Sequence, residues 1–303
     1  MIVTTNILEA MLTAFRGEFK QQMLALGASS FHDVLATTIK SNSRTSTYGW
    51  LGRFPQLREW IGSRVFENIR ASSYVIENKT FESTLNVERV DIEDDNVGMY
   101  RHMSRAMADE FIAFLNRNLA ILLRDGFSTI CYDGKNFFDE REVFEKPDGT
   151  GDSTTVTNIL GDTDAQESPW FLLSLAGTLK PLIIQERTTP EFESITSTTN
   201  ETVFMKDQFI YGIRYRGSFG YGFWQQAVAS KEELTSGNYE AARLMMRQFK
   251  RDGGDPLGIV PTHLVVNAEN ESAARKILGA QLLDGGVSNI NFNTAELIVS
   301  PWL

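Results

Sequence analysis

The chain has one cysteine, Cys131, and three histidines, His32, His102 and His263, in 303 residues. A single thiol excludes an intrachain disulfide and a cysteine-based zinc site, and it suits a reducing compartment. The histidines lie far apart with no H-E-x-x-H and no close pair, so a zinc hydrolase is not signalled. No stretch approaches the length of apolar chain that spans a membrane. The opening "MIVTTNILEAML" lacks the basic start and long apolar run of a secretory signal. Basic charge is in the minority, 29 Lys and Arg against 39 Asp and Glu, for a net charge of −10. Such a surface repels phosphate backbones and argues against specific nucleic-acid binding, although not against a protein that merely encloses nucleic acid.

Nucleotide and hydrolase signatures are missing too. There is no Walker A motif and no G-x-S-x-G elbow. "GSFGYG" (Gly217, Gly220, Gly222) has the wrong spacing for a dinucleotide loop, and no helix start follows it. Its interleaved aromatics suit a twisted strand in which small residues make room for large ones. Cys131 paired with a distant histidine is a very weak nucleophile signal, and "TICYDG" reads better as a strand entering a turn. No catalytic residue, cofactor site or metal site is expected.

What remains is ample material for a core and for interfaces: 42% hydrophobic residues, with 20 Phe, 8 Tyr and 5 Trp. The length suggests about two domains. Asn6 and Glu9 read as a capping box ahead of Leu8, Met11, Leu12, Phe15, Phe19 and Met23, an amphipathic helix ending near Gly27. Ser29 to Tyr48 reads as an extended arm. Between Arg64 and Val90 the period becomes two, with Phe81, Ser83, Leu85 and Val87 alternating with polar neighbours and "ENKT" (77–80) as the turn. This predicts a long β-hairpin or short meander; a two-stranded ribbon is marginal alone and needs a surface to lie on. A long helix follows over 97–125, with Met99, Met103, Met107, Phe111, Phe114, Leu115, Leu119 and Leu122 as its buried stripe and Gly126 as its stop.

Beyond the helix, 147–168 reads as a polar surface loop. Strands are expected at "WFLLSL", "PLIIQER" and "FIYGIRYRGSFGYGFWQQAVA", and "TTPEFESITSTTNET" is read as a loop carrying one short strand. A helix over Tyr239–Arg251, the strand "IVPTHLVV", a helix opened by Asn267 and the strand "AELIVS" complete the chain. Helices and strands are not in regular βαβ alternation, so the class is α+β. "DIEDDN" sets Asp91, Glu93, Asp94 and Asp95 beside one another, which raises the possibility of a metal-dependent hydrolase built on these carboxylates. The calcium-loop spacing fails, with Asn96 where glycine is needed and His102 where a bidentate glutamate is needed. The competing reading is electrostatic: Asp91, Glu93, Asp94, Asp95 and Asn96 cap the long helix, or form an intersubunit salt bridge.

The order of arm, hairpin, acidic helix start, long helix and α+β body resembles the major capsid proteins of tailed bacteriophages, the Hong Kong 97 fold. The segments "TYGWLGRFPQLREWIGSRV", "DIEDDN", "CYDGKNFFD", "PLIIQER" and "YGIRYRGSFGYGFWQQAVAS" resemble most the gpT family of Mu-like prophage major head subunits, over nearly the whole chain. The resemblance implies an N-terminal arm (1–50), an E-loop hairpin and its flanks (51–96), a peripheral domain with a spine helix (97–230) and an axial domain (231–303). It implies pentamers and hexamers of an icosahedral shell enclosing double-stranded DNA, assembled in the bacterial cytoplasm, with a portal and a maturation protease. The expected hairpin begins within about 65 residues of Met1, so a separate scaffolding protein is expected rather than a fused segment. Phe15, Phe19, Ile69, Tyr74, Ile76 and Phe81 are expected to contact neighbouring subunits. Lys79 reads as a solvated turn residue rather than a crosslinking one. A neck or tail protein of such a virus, which would form rings or tubes, is the remaining alternative.

Overall fold

The computed structural model describes residues 3–27, 30–48, 74–94, 98–144, 154–197, 199–250, 255–283 and 285–303. In chain order, α1 (Thr5–Gly27) and α2 (Phe31–Leu35) precede β1 (Ala36–Lys40) and β2 (Thr45–Thr47). β3 (Val75–Glu77), β4 (Lys79–Glu88), α3 (Arg89–Glu93) and the long α4 (Gly98–Asp125) follow. Next come β5 (Glu142–Phe144), β6 (Thr154–Val156), β7 (Ile159–Leu160), β8 (Trp170–Leu173) and β9 (Leu182–Ile195). The chain continues through α5 (Glu201–Lys206), β10 (Gln208–Tyr221), β11 (Ala227–Ser230) and α6 (Ser236–Arg247), and finishes with β12 (His263–Val266), α7 (Glu271–Gly279) and β13 (Glu296–Val299).

Two sheets organise the molecule. One has the order β1-β9-β10-β4 and carries α1 and α4; the other has the order β13-β12-β8-β11-β7 and carries α6 and α7. The second sheet takes strands from 159–173 and 227–230 as well as from 263–299. The expected division at residue 230 therefore does not follow the sheets, because the chain passes between them several times. Nor is the N-terminal segment an arm. α1 lies on α4, where Ser104 donates to the Phe15 carbonyl at 2.8 Å, and β1 is a parallel edge strand paired with β9. Asn6 sits inside the first turn of α1, because the carbonyl of Thr4 already accepts from Leu8.

The expected hairpin is corrected as well. β3 and β4 do not pair: Asn78 separates them, β4 runs antiparallel to β10 from Lys79 to Glu88, and β3 pairs with β2. The alternation over 81–88 correctly marks a strand with one buried face, but that face meets the chain's own α4 through Phe81 and Phe114, whose ring centroids are 4.6 Å apart. Lys79 thus opens a strand and is not a turn residue. β9 also runs on to Ile195 through the segment read as a loop. Pro190 is accommodated there because β1 has ended by Glu186 and the β9–β10 register shifts between Arg214 and Arg216.

α4 has the expected length, about 40 Å at 1.5 Å per residue, and buries Phe111, Leu115 and Leu119 as expected, but the face it buries over its first turns is rotated from the expected one. Tyr100, Ser104, Ala108, Phe111, Leu115, Leu119 and Leu123 face inward, while Met99 and Met103 are 59% and 41% exposed. Small side chains at 104 and 108 let α1 approach closely, and that close approach outweighs the greater hydrophobicity of methionine.

The glycines of "GSFGYG" are steric requirements. A Cβ on Gly222 would lie 2.5 Å from the Lys180 carbonyl oxygen, and the Gly222 amide donates to the Pro181 carbonyl at 2.7 Å. Because the obstacle is backbone, Gly222→Ala is expected to destabilise the subunit by roughly 2–3 kcal/mol in denaturant unfolding. Gly98→Ala, where nothing stands within 4 Å, should change stability by about 0.5 kcal/mol or less.

Candidate functional site

The chemistry-bearing residues are occupied by structural duties. His32 is buried, its amide donates to the Asn116 side chain at 2.9 Å, and its ring meets Ser30 and Asn116, so that α2 is tied to α4. Burial holds its pKa below the ordinary value. His263 rests against Thr262 at 2.8 Å and Glu296 at 3.4 Å, again with its pKa lowered by burial. The Cys131 thiol is buried beside the Asp133 carboxylate, and burial pushes its pKa far up, the reverse of a nucleophile's environment. Among the described residues no group of three His, Cys, Asp or Glu side chains is placed to hold a metal ion.

"DIEDDN" divides differently from the sequence reading. Asp91 and Glu93 lie inside the separate short helix α3, with Asp94 at its C-cap, so these three are not caps of the long helix. Asp91 accepts from the Tyr100 hydroxyl, which joins α3 to the first turn of α4. Asp95 and Asn96 lie outside the described residues.

A buried acid went unnoticed in the sequence. Glu142 is buried, among the described residues no N–H or O–H reaches either of its carboxylate oxygens, and the Asp133 carboxyl lies against it. Its alternation at the start of a short strand resembles that of any surface glutamate, and only the tertiary structure reveals the enclosure.

The most specific polar construction lies where β2 and β3 pair. Thr45–Thr47 runs antiparallel to Val75–Glu77, and the Tyr48 amide donates to the Tyr74 carbonyl at 2.9 Å. Tyr48 and Tyr74, the residues that flank 49–73, thus lie side by side at the end of a two-stranded stem. The stem lies on the first sheet. Ile76 sits over Gly220, where a Cβ would come within 2.3 Å of its terminal methyl, and the Tyr74 hydroxyl accepts from the Tyr221 amide at 2.9 Å. Beneath it Gln185, fully buried in β9, accepts from the Tyr48 hydroxyl at 2.7 Å. The Gln185 side-chain amide donates to the Ile76 carbonyl at 3.0 Å and to the Asn78 side chain at 2.8 Å. Asn78 in turn donates to the Ser41 hydroxyl at 3.1 Å and the Ser43 carbonyl at 2.9 Å.

Of the residues expected at subunit contacts, Phe15, Phe19 and Ile76 are buried in their own chain: Phe15 meets Tyr211 edge-on at 5.2 Å and Phe19 meets Phe192 at 5.9 Å. Tyr74 and Phe81 are half-buried in the same way, and Ile69 lies outside the described residues. Exposed apolar surface lies elsewhere, on α5 at the β9–β10 tip (Phe204, Met205) and on the loop after α7 (Leu282, Val287, Ile290). An apolar run interrupted by Gly285 and Gly286 was the available sequence signal for the latter.

A family model described as "Mu-like prophage major head subunit gpT" matches residues 8–303. The chain is 40% identical over 307 residues to the major capsid protein of Escherichia phage Mu, covering 100% of both chains. It is 39% identical over 308 residues to the Mu-like prophage FluMu major head subunit of Haemophilus influenzae, covering 99% of each. Among solved structures, a chain of the procapsid of bacteriophage JBD30 superposes with a TM-score of 0.90 at 42% identity, covering 99% of this chain and 100% of that one. A chain of the bacteriophage JBD30 capsid superposes with a TM-score of 0.75 at 31% identity, covering 91% of each.

Proposed function

The chain belongs to the Mu-like prophage major head subunit gpT family, and from that premise we propose how its copies build a head. It is a major capsid protein of a Mu-like phage or prophage, a structural protein of the virion with the Hong Kong 97-like α+β fold and not an enzyme. In our reading the copies form pentamers and hexamers that close into an icosahedral shell around double-stranded DNA. Assembly takes place in the bacterial cytoplasm, with a separate scaffolding protein, a portal and a maturation protease as partners. The first sheet with α1 and α4 serves as the peripheral domain, and the second sheet with α6 and α7 as the axial domain. Residues 49–73, between β2 and β3, take the neighbour-contacting role first assigned to the E-loop hairpin and its flanks at 51–96.

The observation that carries this reading is the superposition of nearly the whole chain on a procapsid subunit. The acidic surface agrees with a container that confines DNA rather than gripping it. Electron microscopy of the full chain expressed with the other head proteins of its phage tests the proposal. Closed shells of uniform diameter are expected; open rings or tubes would overturn it.

A further inference from the structure

The Gln185 cluster is more elaborate than a short stem requires. β2 and β3 have three residue pairs between them, and a two-stranded ribbon of that length has little stability of its own. The stem's orientation is therefore set by what it rests on. An apolar support permits sliding and tilting, because dispersion contacts are non-directional. The support here is directional. Gln185 uses its side-chain carbonyl for Tyr48 and its side-chain amide for Ile76 and Asn78, so it grips residues on both strands and at both ends of the stem. Ser41 extends the grip: its amide donates to the Glu186 carbonyl at 2.8 Å and its hydroxyl meets Ser46 at 2.8 Å. Arg187 donates to the Ser41 carbonyl at 3.1 Å. A buried polar network with its partners satisfied selects one geometry where an apolar contact would allow several.

We propose that Gln185 is a positioning residue for self-assembly: with Tyr48, Asn78 and the Gly220 notch it locks the β2–β3 stem to the sheet and so fixes the placement of Tyr48 and Tyr74, the two residues that flank 49–73. This rests on the reading that residues 49–73 contact a neighbouring copy. Shell closure depends on the angle between subunits at each contact, since a contact made at the wrong rotation propagates into open or tubular products. The lock thus acts on the geometry of the assembled product more than on the stability of the subunit.

The test uses the full chain expressed with the other head proteins of its phage. Gln185→Met removes every polar contact of the side chain at similar volume, Tyr48→Phe removes one hydroxyl, and Gly220→Val displaces Ile76 and crowds the Tyr74 hydroxyl without removing a polar group. A control, Val228→Ala in β11, loosens the other sheet. All three stem variants should keep a folded subunit by circular dichroism. Amide exchange at Tyr48 and Asn78 should quicken by about tenfold, and the fraction of product in closed shells of uniform diameter should fall by about tenfold, in favour of open or irregular forms. The control should lower melting temperature and leave shell diameter unchanged. Normal shells from Gln185→Met and Tyr48→Phe would overturn the proposal, as would product defects that track melting temperature equally in stem and control variants. If Gln185→Met does not fold, Tyr48→Phe and Gly220→Val decide the matter. Replacing 49–73 separates the two ideas. Normal shells without that segment would refute the contact reading, whereas lost shells alongside normal stem variants would refute the lock alone.

Discussion

Replacing residues 49–73 by a short Gly/Ser linker is expected to leave a folded subunit that no longer closes shells, whereas deleting 64–90 is expected to unfold it. The contrast follows from where the chain leaves and rejoins the fold. Tyr48 and Tyr74 are already joined by a backbone hydrogen bond of 2.9 Å, so a short linker can bridge them without moving either strand. Shortening the closed loop about sixfold lowers its closure entropy, which should stabilise the subunit by roughly 1–2 kcal/mol. Deleting 64–90 instead removes β3 and β4. β4 holds a ladder with β10 along its whole length and buries Leu85 and Val87, so its loss exposes the face of β10 and the underside of α4. Circular dichroism and melting curves report the first part, and electron microscopy of co-expressed head proteins reports the second. Shell yield from the linker variant should fall by about tenfold or more, because an interface loses its affinity steeply when its central contacts are removed. Uniform shells from that variant would show that subunits associate through other surfaces, with the exposed loop after α7 the first to examine.

The pairing of β3 with β2, and of β4 with β10, shows what a sequence can and cannot specify here. Alternation at Phe81, Ser83, Leu85 and Val87 marks a strand with one buried face, since period two is a property of the strand itself. Which strand it pairs with is a tertiary matter. "ENKT" carries turn residues, but Asn78 is buried and spends its side chain on Ser41 and Ser43, so the chain changes sheet at that point instead of folding back. Helix length and stop were legible in α4, because Gly126 and the long apolar period are local signals. Of its buried face, Phe111, Leu115 and Leu119 were legible and the first two turns were not. The choice between Met103 and Ser104 depends on how closely α1 approaches, and a hydrophobic residue at the wrong angle outweighs a small one in any periodicity count. The failure of the acidic cluster to match a calcium loop is visible in its spacing, while the placement of Asp91 and Glu93 inside α3 and of Asp94 at its C-cap required the structure. Glu142 was not legible at all, because its enclosure depends on a turn at 131–136 and on strands further along the chain.

Glu142 supplies the second large expected effect, a stability that declines as pH rises and a substitution that abolishes the decline. Burial is the leading cause of its shifted pKa, and a bond with Asp133 and the charges of Asp133 and Asp139 add to it; Lys135 opposes them only in part. Together they lift the carboxyl from its ordinary 4.5 to about 10. Two carboxyl groups can share a hydrogen bond only with a proton between them, and the raised pKa of Glu142 keeps that proton on Glu142. Between those two values the folded chain holds a proton that the unfolded chain has released. Stability is therefore greatest below about pH 4.5 as far as this group is concerned, and it falls through the window up to about pH 10, by at most about 1.4 kcal/mol per pH unit. Glu142→Gln retains a donor toward Asp133 and has no proton to lose. Relative to the parent, the variant should be nearly neutral at about pH 5 and more stable by roughly 2–4 kcal/mol at about pH 8, with partial relaxation of the site holding the gain below the linkage limit. In a chain of this size that corresponds to a rise in melting temperature of about 4–8 °C at the higher pH. Melting curves of the unassembled subunit at the two pH values read it directly. An equal loss of stability at both would mean that Glu142 is ionised and held by a cation, and would reverse the assignment of the proton.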